Sequence, residues 1–267
     1  SRVPLRTPVT QTDHAFIAQH GTCARDMPGE IRCWGEDRAV QDVPMAELTN
    51  AETLDFGLRH GCGLGEDGIV RCFGESEFGR IGEREDGIIG VNNVAALEVG
   101  ADHSCVLTAE GEVLCWGYDW AGALGVPKSD LPNCVHGDRG GDCSTIPISP
   151  IYVPRTRALS VGAHRTCAIA VAGGVGCWGA WTVNSSVGWC GSNPEECDPF
   201  YTEVEGTADA VVIEVGGSVA CMIDNEGAVH CWGWGEEGQL GNGRVHEGPA
   251  MVPLRVLGFG ESVSAER

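Results

Sequence analysis

Between Cys105 and Gly117 the chain reads CVLTAEGEVLCWG, two short apolar runs on either side of a polar centre. Runs of this length, bounded by turn residues, predict buried strands. Gly111, six residues after the first cysteine, supplies the left-handed residue that ends a three-residue hairpin loop. With Ala109, Glu110 and Gly111 as that loop, Thr108 faces Glu112, Leu107 faces Val113, Val106 faces Leu114 and Cys105 faces Cys115. Residues opposed in this way lie about 4.5–5.5 Å apart at Cα, a separation a disulfide spans. Four other stretches keep the register: Cys23 to Gly35, Cys62 to Gly74, Cys167 to Gly179 and Cys221 to Gly233. Their loop glycines are Gly29, Gly68, Gly173 and Gly227. An aromatic precedes the final glycine each time, as Trp34, Phe73, Trp116, Trp178 and Trp232. The pattern predicts five hairpins closed by Cys23–Cys33, Cys62–Cys72, Cys105–Cys115, Cys167–Cys177 and Cys221–Cys231.

The first cysteines of successive repeats are 39, 43, 62 and 54 residues apart. Repeats of that length made of short strands predict a propeller or a related sheet array. Repeat three divides into four strand-like pieces: Ile88 to Val91, Ala95 to His103, CVLTA and EVLCWG. A GxxG connection follows the aromatic-glycine step at Gly79 to Gly82, Gly122 to Gly125 and Gly238 to Gly241. The two long intervals hold insertions near 130–146 and 184–199. Each carries its own cysteine pair, Cys134 with Cys143 and Cys190 with Cys197, and such insertions belong on the surface. All 14 cysteines are then paired, which predicts an oxidising compartment and leaves no catalytic thiol. Zinc is disfavoured because no CxxC knuckle occurs.

VGADHSCVLTAEGEVLCWG (Val99 to Gly117) and CMIDNEGAVHCWGWGEEGQLGNG (Cys221 to Gly243) carry a family resemblance. They resemble the RCC1-like repeat family, with its V-x-x-G-x-x-H-S-C-A-L and D-G-x-V-x-C-W-G-x-N-x-x-G-Q-L-G pattern. The resemblance covers nearly the whole chain; repeats one and four depart from it after the tryptophan. It implies an all-β fold, an RCC1-like propeller with blades of four antiparallel strands in one domain over 1–267, and the five hairpins give it five blades where the family frequently has seven. VPLR occurs at Val3 to Arg6 and again at Val252 to Arg255, each time before a strand-like piece, His14 to Ala18 and Glu261 to Ala265. That surplus half-repeat either closes the ring or pairs with another molecule through a strand edge. The family includes a chromatin-bound nucleotide-exchange factor and secreted bacterial inhibitors of β-lactamase. Both grip a protein with a propeller face, which is what the resemblance implies here.

A formal net charge of −21, with Lys128 the only lysine, opposes binding to nucleic acid phosphates and argues against the exchange factor's setting. No apolar run approaches the ~20 residues that span a bilayer, so membrane insertion is not expected. No leader is visible, and an exported chain is expected to have lost it. GWGEEG (Gly233 to Gly238) matches GxGxxG but opens no amphipathic helix, and GxSxG, HExxH and P-loop motifs are missing from the sequence. His60 and His103 stand two residues before repeat cysteines, with His20 and His164 one position further upstream. Recurrence of that kind predicts structural hydrogen bonds instead of catalysis. The expectation is a non-enzyme without cofactor, with calcium left open at the acidic insertion around Asp130, Asp138 and Asp142. Asn184-Ser185-Ser186 is a glycosylation sequon. Phe78, Tyr118, Trp120, Trp181, Trp189 and Trp234 all lie in connections just after the aromatic-glycine step. A propeller gathers such connections on one rim, where rigid aromatics form a protein-binding hot spot or else cap the blade edges. The expected function is an extracytoplasmic protein-binding module. The alternatives are a filament subunit exchanging its surplus half-repeat, and a lectin-like carbohydrate binder.

Overall fold

The computed structural model describes residues 12–18, 21–26, 29–35, 43, 46, 48–49, 51–136, 139–180 and 200–258. They build five antiparallel sheets, the blades of a propeller. Blade 1 holds β1 (Thr12–Ala18), β2 (Gly21–Asp26) and β3 (Ile31–Gly35). Blade 2 holds β4 (Thr53–Phe56), β5 (His60–Leu64), β6 (Val70–Gly74) and β7 (Ile88–Ile89). Blade 3 holds β8 (Val94–Val99), β9 (His103–Thr108), β10 (Val113–Tyr118), β11 (Asn133–His136) and β12 (Arg139–Ile148). Blade 4 holds β13 (Thr156–Val161), β14 (Arg165–Ala170), β15 (Val175–Gly179) and β16 (Thr202–Glu203). Blade 5 holds β17 (Ala210–Val215), β18 (Val219–Asp224), β19 (Val229–Gly233) and β20 (Ala250–Arg255).

The hairpin register follows from the loop chemistry. Cys105 pairs with Cys115, Val106 with Leu114 and Leu107 with Val113, and Gly111 takes φ +84 where a Cβ would be penalised. All five hairpin disulfides form, as does Cys134–Cys143. These six bridges point to an oxidising, extracytoplasmic setting. Cys190 and Cys197 lie outside the described residues, as do Trp181, Trp189, Asp138, His20 and the sequon at Asn184.

Two expectations need correcting. The piece near Ile88 does not open repeat three: Ile88 and Ile89 pair with Arg71 and Val70 as the outer strand of blade 2. The connection returns to the hairpin it has just left, because that edge offers free backbone groups. The first insertion is likewise more than a surface loop, since β12 pairs with β10 and β11 adds a fifth strand. His14 to Ala18 belongs to the inner strand of blade 1, and Val252 to Arg255 belongs to the outer strand of blade 5. Val3 to Arg6 and Glu261 to Ala265 lie outside the described residues.

Packing between blades uses two constant faces. One carries the cystine, the other the aromatic. Cys62, Leu64, Val70 and Cys72 of blade 2 pack on Leu97, Val99, Val106 and Trp116 of blade 3. Cys105, Leu107, Val113 and Cys115 then pack on Leu159, Val161, Ala168 and Trp178, and Cys167, Ile169, Val175 and Cys177 on Ile213, Ala220, Met222 and Trp232.

Candidate protein-binding rim

The rim is built outward from the buried tryptophans. Trp116 and Trp178 are fully buried. Their indole N–H groups donate across the blade interface to the backbone oxygens of Arg80 at 3.2 Å and Ala123 at 3.1 Å. Each tryptophan therefore pins the connection that leaves the preceding blade. Gly117, at φ +106, turns the chain after Trp116, and a Cβ there would stand 2.7 Å from the Asp102 carbonyl oxygen. That sharp turn lets Tyr118 N–H donate to the same oxygen at 2.9 Å and sets Tyr118 on the rim.

Four rings form a row across blades 2 to 4. Phe78 and Tyr118 lie 4.6 Å apart, Tyr118 and Trp120 6.1 Å, and Trp120 and His164 6.0 Å. Phe78 is buried at 9% exposure whereas Trp120 is 41% exposed, so Phe78 supports the row and Trp120 presents it. Phe78 holds that place in a left-handed backbone conformation, φ 55, and Ala121 beside Trp120 does the same at φ 59. Such conformations are costly outside glycine and persist where packing fixes them. The Arg80 guanidinium lies over Phe78, 5.4 Å from its centroid, and pairs with Asp102 at 2.8 Å. Asp119, beneath Trp120, is buried and accepts Leu124 N–H at 2.8 Å, and burial pushes its carboxyl up to about 6. Trp234 occupies the equivalent connection in blade 5, half-buried, and its backbone N–H donates to the Ser218 carbonyl.

Sequence reasoning missed Arg80, Asp102 and His164 as members of this surface. His164 alone carried a signal, its offset from the other histidines by one residue.

The remaining recurrent polar residues hold blades together. His60 Nε2 meets Ser104 Oγ at 2.9 Å, and His103 Nε2 meets Thr166 Oγ1 at 3.1 Å, each across a blade interface. Along the inner strands, Val99 N–H donates to Asp55 and Val215 N–H to Ser160, while Val161 N–H donates to Glu98. Burial drives both histidines down to about 3 and, reinforced by Asp55 and Glu214, lifts Glu98 to about 8. Neutral buried histidines lose stability as pH falls from 6.5 towards 3, because only the unfolded chain takes up the proton. Protonated Glu98 loses it as pH rises from 4.5 through 8. Thermal unfolding across this range should therefore show a maximum between about pH 5 and 6.5. Glu98→Gln should flatten the alkaline limb, and an unchanged limb in that variant would refute the assignment.

Among the described residues, no three His, Cys, Asp or Glu side chains converge as a metal site would require. Two clefts, lined by Gly173–Val175 with Glu203–Ala208 and by Gly111–Val113 with Ser149–Arg155, lie at the hairpin loops, on the opposite rim. No helix among the described residues is long and apolar enough to cross a membrane.

Five cystine-closed blades with an aromatic rim define a repeat β-propeller. Residues 94–119 and 226–265 match the Regulator of chromosome condensation (RCC1) repeat, so these two stretches are similar to RCC1 repeats. Human WBSCR16 has a similar fold, with 17% identity and a TM-score of 0.71 over 96% of this chain and 68% of that one. Prp20p from Saccharomyces cerevisiae matches at 19% identity and TM-score 0.67, covering 89% of this chain and 61% of its own. The ectodomain of the receptor kinase CR4 from Physcomitrella patens matches at 21% and 0.57, covering 85% and 54%. The chain thus spans less than two thirds of the length of Prp20p. No curated protein sequence matches it.

Proposed function

We propose that this chain is a non-enzymatic protein-binding module of an extracytoplasmic compartment, secreted, periplasmic or on the cell surface, and that Tyr118, Trp120 and His164 grip the partner. The observation that carries this reading is the ring row, which rests on buried, pinned connections and ends in an exposed indole. Rigid aromatics held in this way lose little entropy on binding, the property of interface hot spots. Support comes from the similar structures: Prp20p has been described with its binding to Gsp1p and histones and bound to Kap60, and the CR4 match is an ectodomain. The net charge of −21 favours a basic partner segment.

A photo-crosslinker placed in turn beside Trp120 and at Val171, on the opposite rim, locates the binding face in extracellular extract. Capture is expected only from the Trp120 side. With the captured partner in hand, Trp120→Ala should weaken binding at least tenfold, about 1.4 kcal/mol, with the melting curve unchanged. Capture from Val171 alone, unchanged affinity in Trp120→Ala, or competition by free monosaccharide would each reject the reading, the last in favour of a lectin.

A further inference from the structure

Asn242 and Gly243 form the sole Asn-Gly dipeptide of the chain, in the connection between β19 and β20. Every other asparagine is followed by a residue whose Cβ crowds the backbone nitrogen, whereas glycine leaves that nitrogen open. Gly243 is exposed and takes φ +75, and Gly241 on the other side of Asn242 takes φ +65. The loop around them is pinned at both ends. Leu257 N–H donates to the Gly241 oxygen at 3.0 Å, and His246 N–H donates to the Gly235 oxygen at 3.1 Å.

Both atoms of the Asn242 side-chain amide are engaged. The Arg244 backbone N–H can only donate, so the atom it reaches at 3.2 Å is Oδ1. That fixes the amide, and Nδ2 then lies 2.9 Å from His246 Nε2. The first contact polarises the side-chain carbonyl and would stabilise an oxyanion formed there. The second sets an imidazole against the nitrogen that departs when the carbonyl carbon is attacked. The nucleophile is already tethered in place, because the Gly243 nitrogen closes a five-membered ring with that carbon.

We propose that Asn242 is a self-modification site, at which the Gly243 nitrogen attacks the Asn242 side-chain carbonyl carbon, ammonia leaves, and water opens the succinimide to aspartate or isoaspartate. The bond formed is Gly243 N to Asn242 Cγ, and the bond broken is Cγ to Nδ2. The Gly243 proton passes to solvent, and the protonated His246 imidazole gives its own proton to the departing nitrogen and recovers one from water. Water then adds across one of the two ring carbonyl–nitrogen bonds, so the net change is amide plus water to carboxylic acid plus ammonia. The product carboxylate faces His246 Nε2 where an amide donor had stood, and only a protonated imidazole satisfies it. Isoaspartate also lengthens the main chain beside Gly241, where a Cβ would already stand 2.9 Å from Val256 Cγ1. The change is therefore felt at the end of the outer strand of blade 5.

The test holds the disulfide-intact protein in warm neutral buffer for weeks and then cuts it after glutamate, which frees residues 238–247 with Asn242 and Gln239 as their amides. Asn242 should gain one dalton and appear as two chromatographically distinct products, aspartate and isoaspartate. The folded protein should convert faster than the same chain in urea. His246→Gln, with its fold verified by circular dichroism, should slow conversion of the folded protein at least about tenfold, the low end of what a placed proton donor supplies. In urea the two chains should react alike. An intact Asn242, a folded protein that converts no faster than the denatured one, or a His246→Gln variant that converts at the original rate would each overturn the proposal.

Discussion

Trp116→Ala is expected to lower the unfolding free energy by about 3–5 kcal/mol, the range for deleting a fully buried aromatic side chain. Its indole fills the interface between blades 2 and 3, among Cys62, Val70, Leu97 and Val106. Alanine leaves a cavity there, and rigid disulfide-closed strands cannot collapse into it. The lost N–H also frees the Arg80 carbonyl, so the connection that carries Phe78 loosens with the core. The same change at Trp34 should cost only about 1–2 kcal/mol, because that indole is only partly buried and is partly solvated already. Urea unfolding of the two variants, with disulfides intact, tests the pair. Equal losses would mean that the aromatic face of blade 1 is as well covered as that of blade 3.

Reduction of the disulfides should have the largest effect of all. Each hairpin bridge closes a sequence separation of 10 residues, which the chain-entropy model values at about 3 kcal/mol. Five such bridges together are comparable to the about 5–15 kcal/mol that typically separates a folded domain from its unfolded chain. A strong thiol reductant at neutral pH is therefore expected to abolish the cooperative thermal transition. Reduction should be slow without denaturant, because Cys62, Cys105, Cys115 and Cys167 are fully buried and a thiolate must wait for the blade to open. A reduced protein that melts cooperatively at the same temperature would show that the blades hold by packing alone. Cys105→Ala with Cys115→Ala isolates one bridge, with an expected loss of about 3 kcal/mol in urea.

Much of the fold was legible because its strongest constraints are local. The glycine six residues after each first cysteine sets the loop, the loop sets the register, and the register places two sulfurs face to face. None of this needs a residue more than about a dozen positions away. The candidate site was legible only in part. Placing Phe78, Tyr118 and Trp120 just after the aromatic-glycine step located the rim, but not which ring is presented. Phe78 lies under Tyr118 and Arg80, and Arg80 is held by Asp102 from another blade. That difference arises from contacts between residues 22 to 40 positions apart, and single-residue patterns do not encode them. Ile88 was assigned to the wrong blade for the same reason. A two-residue strand has no periodicity of its own, and its partner is chosen by which sheet edge lies open.

The sequence by itself determined the hairpins, the cystines, the recurrence of one supersecondary unit and the acidity of the surface, since each follows from short-range geometry or from composition. Tertiary structure decided which strands complete each blade and which aromatics are buried and which exposed. Those outcomes depend on stacking one blade on the next. Each internal interface buries the cystine face of one blade against the aromatic face of the next, a pairing no single repeat contains.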